Sequence, residues 1–454
     1  MTGILQEKEL PQIVANLEAW LHSMRVAPAG RTHEQRQSFP GYGGPVVHWW
    51  QNCLSFTGPG LDWRYQGIIS GYLILWRRTG QKRWLTRARR AGDDLLAGQL
   101  PGGNFRASSF ELNPYAGGTP HEAAADVALL CLAHTLRRQA DNTWRQYARA
   151  ARRNLRCYYL QRLWDEEAQS FRDDPNTPSL VPNKACTLAE ALFAWAGLEG
   201  NEEPIIRYAL PTLETVLELQ RRESGPLYGA IPQIVVRGRV APKYFPYYMA
   251  RCVPALLLAY DFTQEERWLG AAAAALDFIV RHVDHDGLLP QVLYGGDGYV
   301  GTNRFPQWIA PAGDVLHAAH LMESHGYSVD FSGLHQRLVQ GQLPGGGFRT
   351  AHGFAAQVSQ SNTGCESPDF RDLIAVAGWN DKAFRYLAEK LSPDSPLPAA
   401  RRAPAELPCL LRGRDARWIE TGEEMVLFRD GKAVYRWCKG QRWAAVVSPE
   451  VMWR

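Results

Sequence analysis

Residues 62–98 read DWRYQGIISGYLILWRRTGQKRWLTRARRAGDDLLAG, and this stretch decides the fold. Its first half, GIISGYLILW, is apolar nearly all round, as suits a helix buried on every side. A glycine at Gly80 breaks the run. A polar restart, TGQKRW, then leads into RWLTRARRAGDDLLAG, which is amphipathic with an Arg-rich face. An all-apolar helix followed by an amphipathic one is the pattern of an inner and an outer layer.

The same alternation recurs along the chain. Asp62–Thr79 with Lys82–Leu96 forms one pair, Pro120–Gln139 with Thr143–Trp164 a second, and Ala185–Leu198 with Glu203–Gln220 a third. Pro246–Phe262 with Glu265–His282 makes a fourth, and Ala310–Ser324 with Phe331–Val339 a fifth. Phe370–Ala377 with Lys382–Leu391 reads as a shorter sixth pair, and a helix at Gln12–Met24 precedes the set. Repeated helix pairs of this kind stack side by side. The expected fold class is therefore all-α: a ring of six helical hairpins, an (α/α)6 toroid.

The long loops carry an internal repeat. GQLPGGNFR at 98–106 and GQLPGGGFR at 341–349 differ only at Asn104 against Gly347, with looser relatives GAIPQ at 229–233 and DGLLPQ at 286–291. Pro-Gly-Gly makes a tight turn, and the aromatic after it anchors the return in the core. A phosphate-binding reading fails, because no strand precedes the loop and no Lys-Ser/Thr follows it. After a Pro/Ala-rich linker over 392–407, residues 408–454 alternate around Asp430-Gly431 and read as a small β-meander packed on a toroid of residues 1–391.

Composition sets bounds. With 454 residues and 45% hydrophobic content, the chain can bury a large core. A net charge of +4 over this length is weak, so the Arg-rich helix faces read as solvated surfaces and no nucleic-acid partner is expected. Eight cysteines show no CxxC pair or Cys/His cluster, which fits free thiols in a reducing, cytoplasmic setting. No signal peptide or membrane-spanning run is visible. A homo-oligomer is left open.

These alternating helices and glycine-rich loops resemble the six-hairpin toroid proteins. That group includes six-hairpin glycosidases, unsaturated glucuronyl hydrolases, N-acylglucosamine epimerase-like proteins and uronyl epimerases. GYLILWRRTGQKRWLTRA and EALFAWAGLEGNEEPIIRYA carry the resemblance, which covers most of residues 60–391. QLPGGGF also resembles loops of terpene-cyclase and protein-prenyltransferase toroids, but the cyclase acid motif and the transferase zinc ligands are not found. The resemblance implies a carbohydrate substrate and a cleft at one end of the ring.

In such a ring the inner helices run the same way, so carboxylates near their starts face one cleft. Glycoside chemistry needs two: an acid for the leaving oxygen and a base or nucleophile opposite. Asp314 and Glu122 are the candidate pair, with Asp62 orienting the sugar. Asp62 also suits a helix N-cap, and Glu122 the acidic first turn. Asp314→Asn should then abolish turnover while leaving the melting temperature within a few degrees. Glu190 and Asp126 lie deeper and must be paired or functional. Glu366 and Asp369 precede the last pair. Trp49, Trp50, Trp63, Tyr248 and Trp308 offer stacking faces for sugar rings, as do Tyr244, Phe245 and Tyr247, although core packing uses the same residues. Arg251 and Lys243 suit a uronate carboxylate, or Arg251 an ion pair with Glu190 or Asp314. His121 is the proton shuttle an epimerase would need. His48, His121, His285 and His317 make no metal set, the His317–His320 spacing lacks a third ligand, and no cofactor is expected. The leading reading is a glycoside hydrolase-like enzyme. The alternatives are a sugar epimerase, a glycan- or protein-binding toroid without turnover, and an isoprenoid-binding toroid with a deep apolar cavity.

Overall fold

The computed structural model describes residues 2–26, 40–47, 54–57, 60–105, 123–296, 299–302, 305–353, 370–411, 414–439 and 445–447. In chain order the helices are α1 (Thr2–Ser23), α2 (Arg64–Thr79), α3 (Lys82–Ala97), α4 (Ala123–Arg138) and α5 (Trp144–Asn154, continued by a wider-wound turn over Leu155–Leu163). Then come α6 (Pro182–Glu199), α7 (Leu210–Leu219), α8 (Pro246–Ala250), α9 (Val253–Thr263), α10 (Glu266–Val280), α11 (Ala312–Glu323), α12 (Ser332–Gln340) and α13 (Ala377–Glu389).

The inner helices α2, α4, α6, α9, α11 and α13 each pack on the next, and α13 packs back on α2, which closes an (α/α)6 ring. The outer helices follow their inner partners: α3 on α2, α5 on α4, α7 on α6, α10 on α9 and α12 on α11. Sequence sorts the two layers as expected. α2 buries nearly every position from Arg64 to Leu75, whereas α3 buries Trp84, Ala88, Ala91, Asp94 and Leu95 along one stripe. Gly80 ends α2 in the left-handed region, at φ 66°, which lets the chain reverse into α3. Several outer arginines are committed to neighbouring helices: Arg87 pairs with Glu18 and Arg89 with Asp141.

The sixth hairpin corrects the reading of the sequence. Phe370–Leu373 is a single 3-10 turn, and α13 is one inner helix rather than the second half of a pair. Its outer partner is α1, the N-terminal helix. Asn380, Asp381, Lys382 and Arg385 gave α13 the polar pattern of an outer helix, yet all four are buried. Glycines seat α13 between its neighbours. A Cβ on Gly67 or Gly71 of α2 would lie 2.4 Å from the Asp381 carbonyl oxygen or 2.5 Å from the Phe384 ring, and one on Gly313 of α11 would lie 2.5 Å from the Lys382 carbonyl carbon.

The duplicated loop shows how the outer layer is spaced. In both copies the glutamine side chain spans its own turn and the next outer helix. Gln99 donates to Gly103 and Ala150 of α5, and Gln342 donates to Gly346 and Ile13 of α1. Phe105 and Phe348 are fully buried beyond the turn. Gly346 has φ 101°, and a Cβ there would lie 2.4 Å from the Asn16 carbonyl oxygen. Gly346→Ala is therefore expected to cost more than about 1 kcal/mol, read as a lower urea midpoint; an unchanged midpoint would mean that the seam yields freely.

Strands Ala405–Leu411, Arg414–Glu420, Glu424–Arg429 and Lys432–Cys438 form a four-stranded antiparallel meander, the last two joined at Asp430-Gly431. It meets α1 through a buried contact. The Trp20 indole N–H donates to Glu420 Oε1 at 2.9 Å, and Lys439 pairs with the same oxygen at 2.7 Å. Residues before the sheet also run along α1, where Arg401 N–H donates to Asn16 Oδ1.

Candidate functional site

The starts of the inner helices bring their aromatic residues together. Trp63, the residue before α2, donates its indole N–H to the Gly378 carbonyl at 2.7 Å. Its ring centre lies 6.1 Å from that of Trp379 in the first turn of α13. Trp379 lies 5.6 Å from Tyr247 and 5.7 Å from Trp308, and Tyr247 lies 4.2 Å from Tyr248. Trp308 is held on a short strand, Gln307–Trp308, between Leu289–Pro290 and Ala351–His352. Trp63, Trp379 and Tyr248 keep part of their surface exposed, while Tyr247 and Trp308 are buried behind them. Three predicted stacking residues, Trp63, Tyr248 and Trp308, thus share one wall. Tyr244 faces elsewhere, toward Phe278 of α10. Trp49, Trp50, His48, His121, Glu122, Glu366 and Asp369 lie outside the described residues.

One turn further along the inner helices lies a layer of charge. Asp314, in the first turn of α11, accepts from Arg385 of α13 at 2.9 Å and from Arg251 at 3.4 Å. Arg251 also donates to Gln66 Oε1 at 2.7 Å and to Thr187 Oγ1 at 3.0 Å. Gln66 in turn donates to the Glu190 carboxylate at 2.9 Å. Lys382 meets Asp381 at 3.1 Å, and beyond them His317 meets Glu389 at 2.8 Å. The groups around Arg251, Asp314 and Arg385 leave no room for a water molecule between them.

This layer separates two carboxyl groups in acidity. Burial pushes Asp314 up, but Lys382, Arg251 and Arg385 outweigh it and hold the group below its ordinary range. Burial also pushes Asp381 up, to about 7; Lys382 opposes the rise and the Asp314 charge adds to it. Between its ordinary value of 3.8 and about 7, Asp381 keeps a proton that the unfolded chain has lost. Its contribution to stability therefore falls as pH rises through that window and is level above it. Asp381→Asn is expected to flatten the urea midpoint against pH over this range. A slope equal to that of the unmodified protein would point to another group.

The remaining predicted residues are placed differently. Arg251 is tied to Asp314, and Lys243 sits apart on an exposed strand with its ammonium over Tyr294, so the two do not converge on a uronate. Both oxygens of Asp62 are held by Arg64, whose backbone N–H it also caps at 3.2 Å. Asp126 turns outward and accepts from Asn154 of α5. His317 and His320 pair with different carboxylates, Glu389 and Glu323. Reading Lys382–Leu391 as the outer member of a sixth pair hid Lys382 and Arg385, and left Trp379 and Asp381 in the connection before it. Their spacing over GWNDKAFRYLAEK, 378–390, marks one helical face and was the available signal.

No family model and no curated protein matches this sequence. Solved structures do. An unsaturated glucuronyl hydrolase specific for heparin is 13% identical, with 84% of this chain and 97% of that chain covered at a TM-score of 0.58. A sugar epimerase from a ruminal bacterium is 12% identical, with 85% and 98% covered at 0.61. The GH76A α-1,6-mannanase of Salegentibacter sp. HEL1_6 is 12% identical, with 84% and 99% covered at 0.52. At these identities the likeness establishes the six-hairpin toroid fold. No helix among the described residues is long and apolar enough to cross a membrane.

Proposed function

We propose that this six-hairpin toroid is a carbohydrate-active enzyme that lays a glycan across the aromatic mouth of the ring and acts on it by acid/base chemistry. The observation that carries this reading is the divergence of Asp314 and Asp381 beneath the wall of Trp63, Trp379 and Tyr248. One carboxylate kept ionised and one that still holds a proton up to about pH 7 are the two states that glycoside hydrolysis requires. In this reading Asp381 donates the proton and Asp314 is the ionised partner. Glu122 stays a candidate acid or base on sequence grounds, and Asp62 orients the first turn of α2 through Arg64. Hydrolysis is the leading reaction; epimerisation would move the proton role to His121.

A second reading rests on the closed charge layer. Because the groups around Arg251 and Asp314 exclude water, the ring also suits a glycan-binding toroid without turnover.

The deciding experiment incubates the protein with neutral and uronate-containing oligosaccharides and follows products by mass. An enzyme gives a product, and Asp381→Asn or Glu122→Gln slows its formation by about a hundredfold or more. Asp381→Asn should stay folded below neutral pH, where the native carboxyl, pushed up to about 7, already holds its proton. Binding by tryptophan quenching with no product across the panel would favour the second reading.

A further inference from the structure

The net charge of +4 hides an uneven distribution. The twenty residues Trp144–Leu163, which form α5 and the wider-wound turn after it, carry six arginines and neither Asp nor Glu. The next outer helix, α7, has the opposite character, with Glu214 and Glu218 and no basic residue. At about 3.6 residues per turn, Arg145, Arg149, Arg152 and Arg153 fall within an arc of about 100° and span about 12 Å along α5. Arg145, Arg149 and Arg153 are exposed, as is Arg156 just beyond them.

Little on the protein neutralises this face. Arg152 pairs with Glu199 at 3.2 Å. Among the described residues, Arg145, Arg149, Arg153 and Arg156 make no ion pair. Arg145 donates to the Asn142 amide oxygen, Arg153 donates to the Pro101 carbonyl, and Arg156 lies over the Trp195 ring at 5.1 Å. Like charges on successive turns of one helix repel, so an anion that spans them is favoured.

The surroundings narrow the class of anion. Guanidinium groups meet carboxylate and sulfate oxygens through paired hydrogen bonds. The large apolar side chains exposed among the described residues, such as Ile206, Phe262 and Tyr299, lie off α5, so this face offers a membrane nothing to insert. Trp195, beneath Arg156, is buried, and Trp144 is covered by Arg137 and Arg145, so no ring is offered to a stacked base. A polysaccharide chain needs neither. We propose that α5 is a docking surface, outside the cleft, for an acidic polysaccharide whose carboxylates or sulfates pair with Arg145, Arg149, Arg153 and Arg156. That the polymer is a polysaccharide rests on the glycan reading above; the surface itself makes no use of the cleft.

The test uses the full chain with polygalacturonate, heparin and dextran as probes, and phosphatidylglycerol vesicles and a short DNA duplex as competitors, read by titration calorimetry at low salt. An acidic polymer should bind, dextran should not, and added salt should weaken the binding. Arg149→Glu with Arg156→Glu should weaken it by about tenfold or more, while Arg149→Lys with Arg156→Lys keeps most of it. Arg237→Glu with Arg239→Glu makes the same change in net charge at two exposed residues elsewhere and should bind as the unmodified protein does. The proposal is overturned if neither acidic polymer binds, if both charge-reversed pairs weaken binding equally, or if the vesicles or the duplex bind more tightly than either polymer. Reversal at Arg149 and Arg156 should leave any product formation from short oligosaccharides unchanged. If short oligosaccharides give no product while an acidic polymer still binds through α5, the catalytic reading fails and the docking surface stands.

Discussion

Trp20→Ala is expected to lower stability by about 3–5 kcal/mol, the range for truncating a fully buried tryptophan. The loss has three sources. The indole is completely buried among α1 and its neighbours. The loop at Gly347 rests on it, where a Cβ would come within 2.7 Å of the ring. Its N–H also satisfies Glu420, which is buried with Lys439. Truncation therefore opens a cavity and removes a donor from a buried carboxylate at the junction of the N-terminal helix, the second QLPGG loop and the C-terminal sheet. Trp20→Phe should recover much of the packing but not the hydrogen bond. Urea unfolding of the three proteins measures the difference. A loss below about 1 kcal/mol for alanine would show that the seam is not held there.

Asp314→Asn is the second large effect, also about 3–5 kcal/mol, because it leaves two buried guanidinium groups without their anion. Arg251 retains Gln66 and Thr187, but Asp314 is the partner that Arg385 loses. The ion pairs reverse what sequence reasoning expects, a melting temperature within a few degrees of the original. A coupled variant isolates the cause. Asp314→Leu together with Arg385→Met should be more stable than Asp314→Asn alone, because the buried charge is then removed rather than orphaned. If the single variant melts with the unmodified protein, the pairs carry no net stability. Loss of turnover in Asp314→Asn can therefore be assigned to chemistry only at temperatures where the variant is shown to be folded.

The two effects also mark how far the sequence could be read. Five hairpins were legible because apolar and amphipathic helices alternate, as α2 and α3 show. The duplicated GQLPGG loops were legible as turns, since proline and glycine state their backbone preference locally. Trp63, Tyr248 and Trp308 could be assigned to helix starts, and they share one wall. The sixth hairpin was misread. Asn380, Asp381, Lys382 and Arg385 look solvent-facing in one dimension and find partners only across the ring: Phe348 for Asn380, Asp314 for Arg385.

By itself the sequence determined the ring, because helical periodicity and turn chemistry depend on residues close together in the chain. Only the tertiary structure decided where the ring closes and which carboxyl groups diverge in acidity. Closure joins α1 to α13 across nearly the whole described chain. The state of Asp314 and Asp381 is set by burial and by Lys382, Arg251 and Arg385, charges brought within reach by α13 and by the chain between α8 and α9. Burial and Coulomb energy depend on distance in space, and no local pattern of residues encodes that distance.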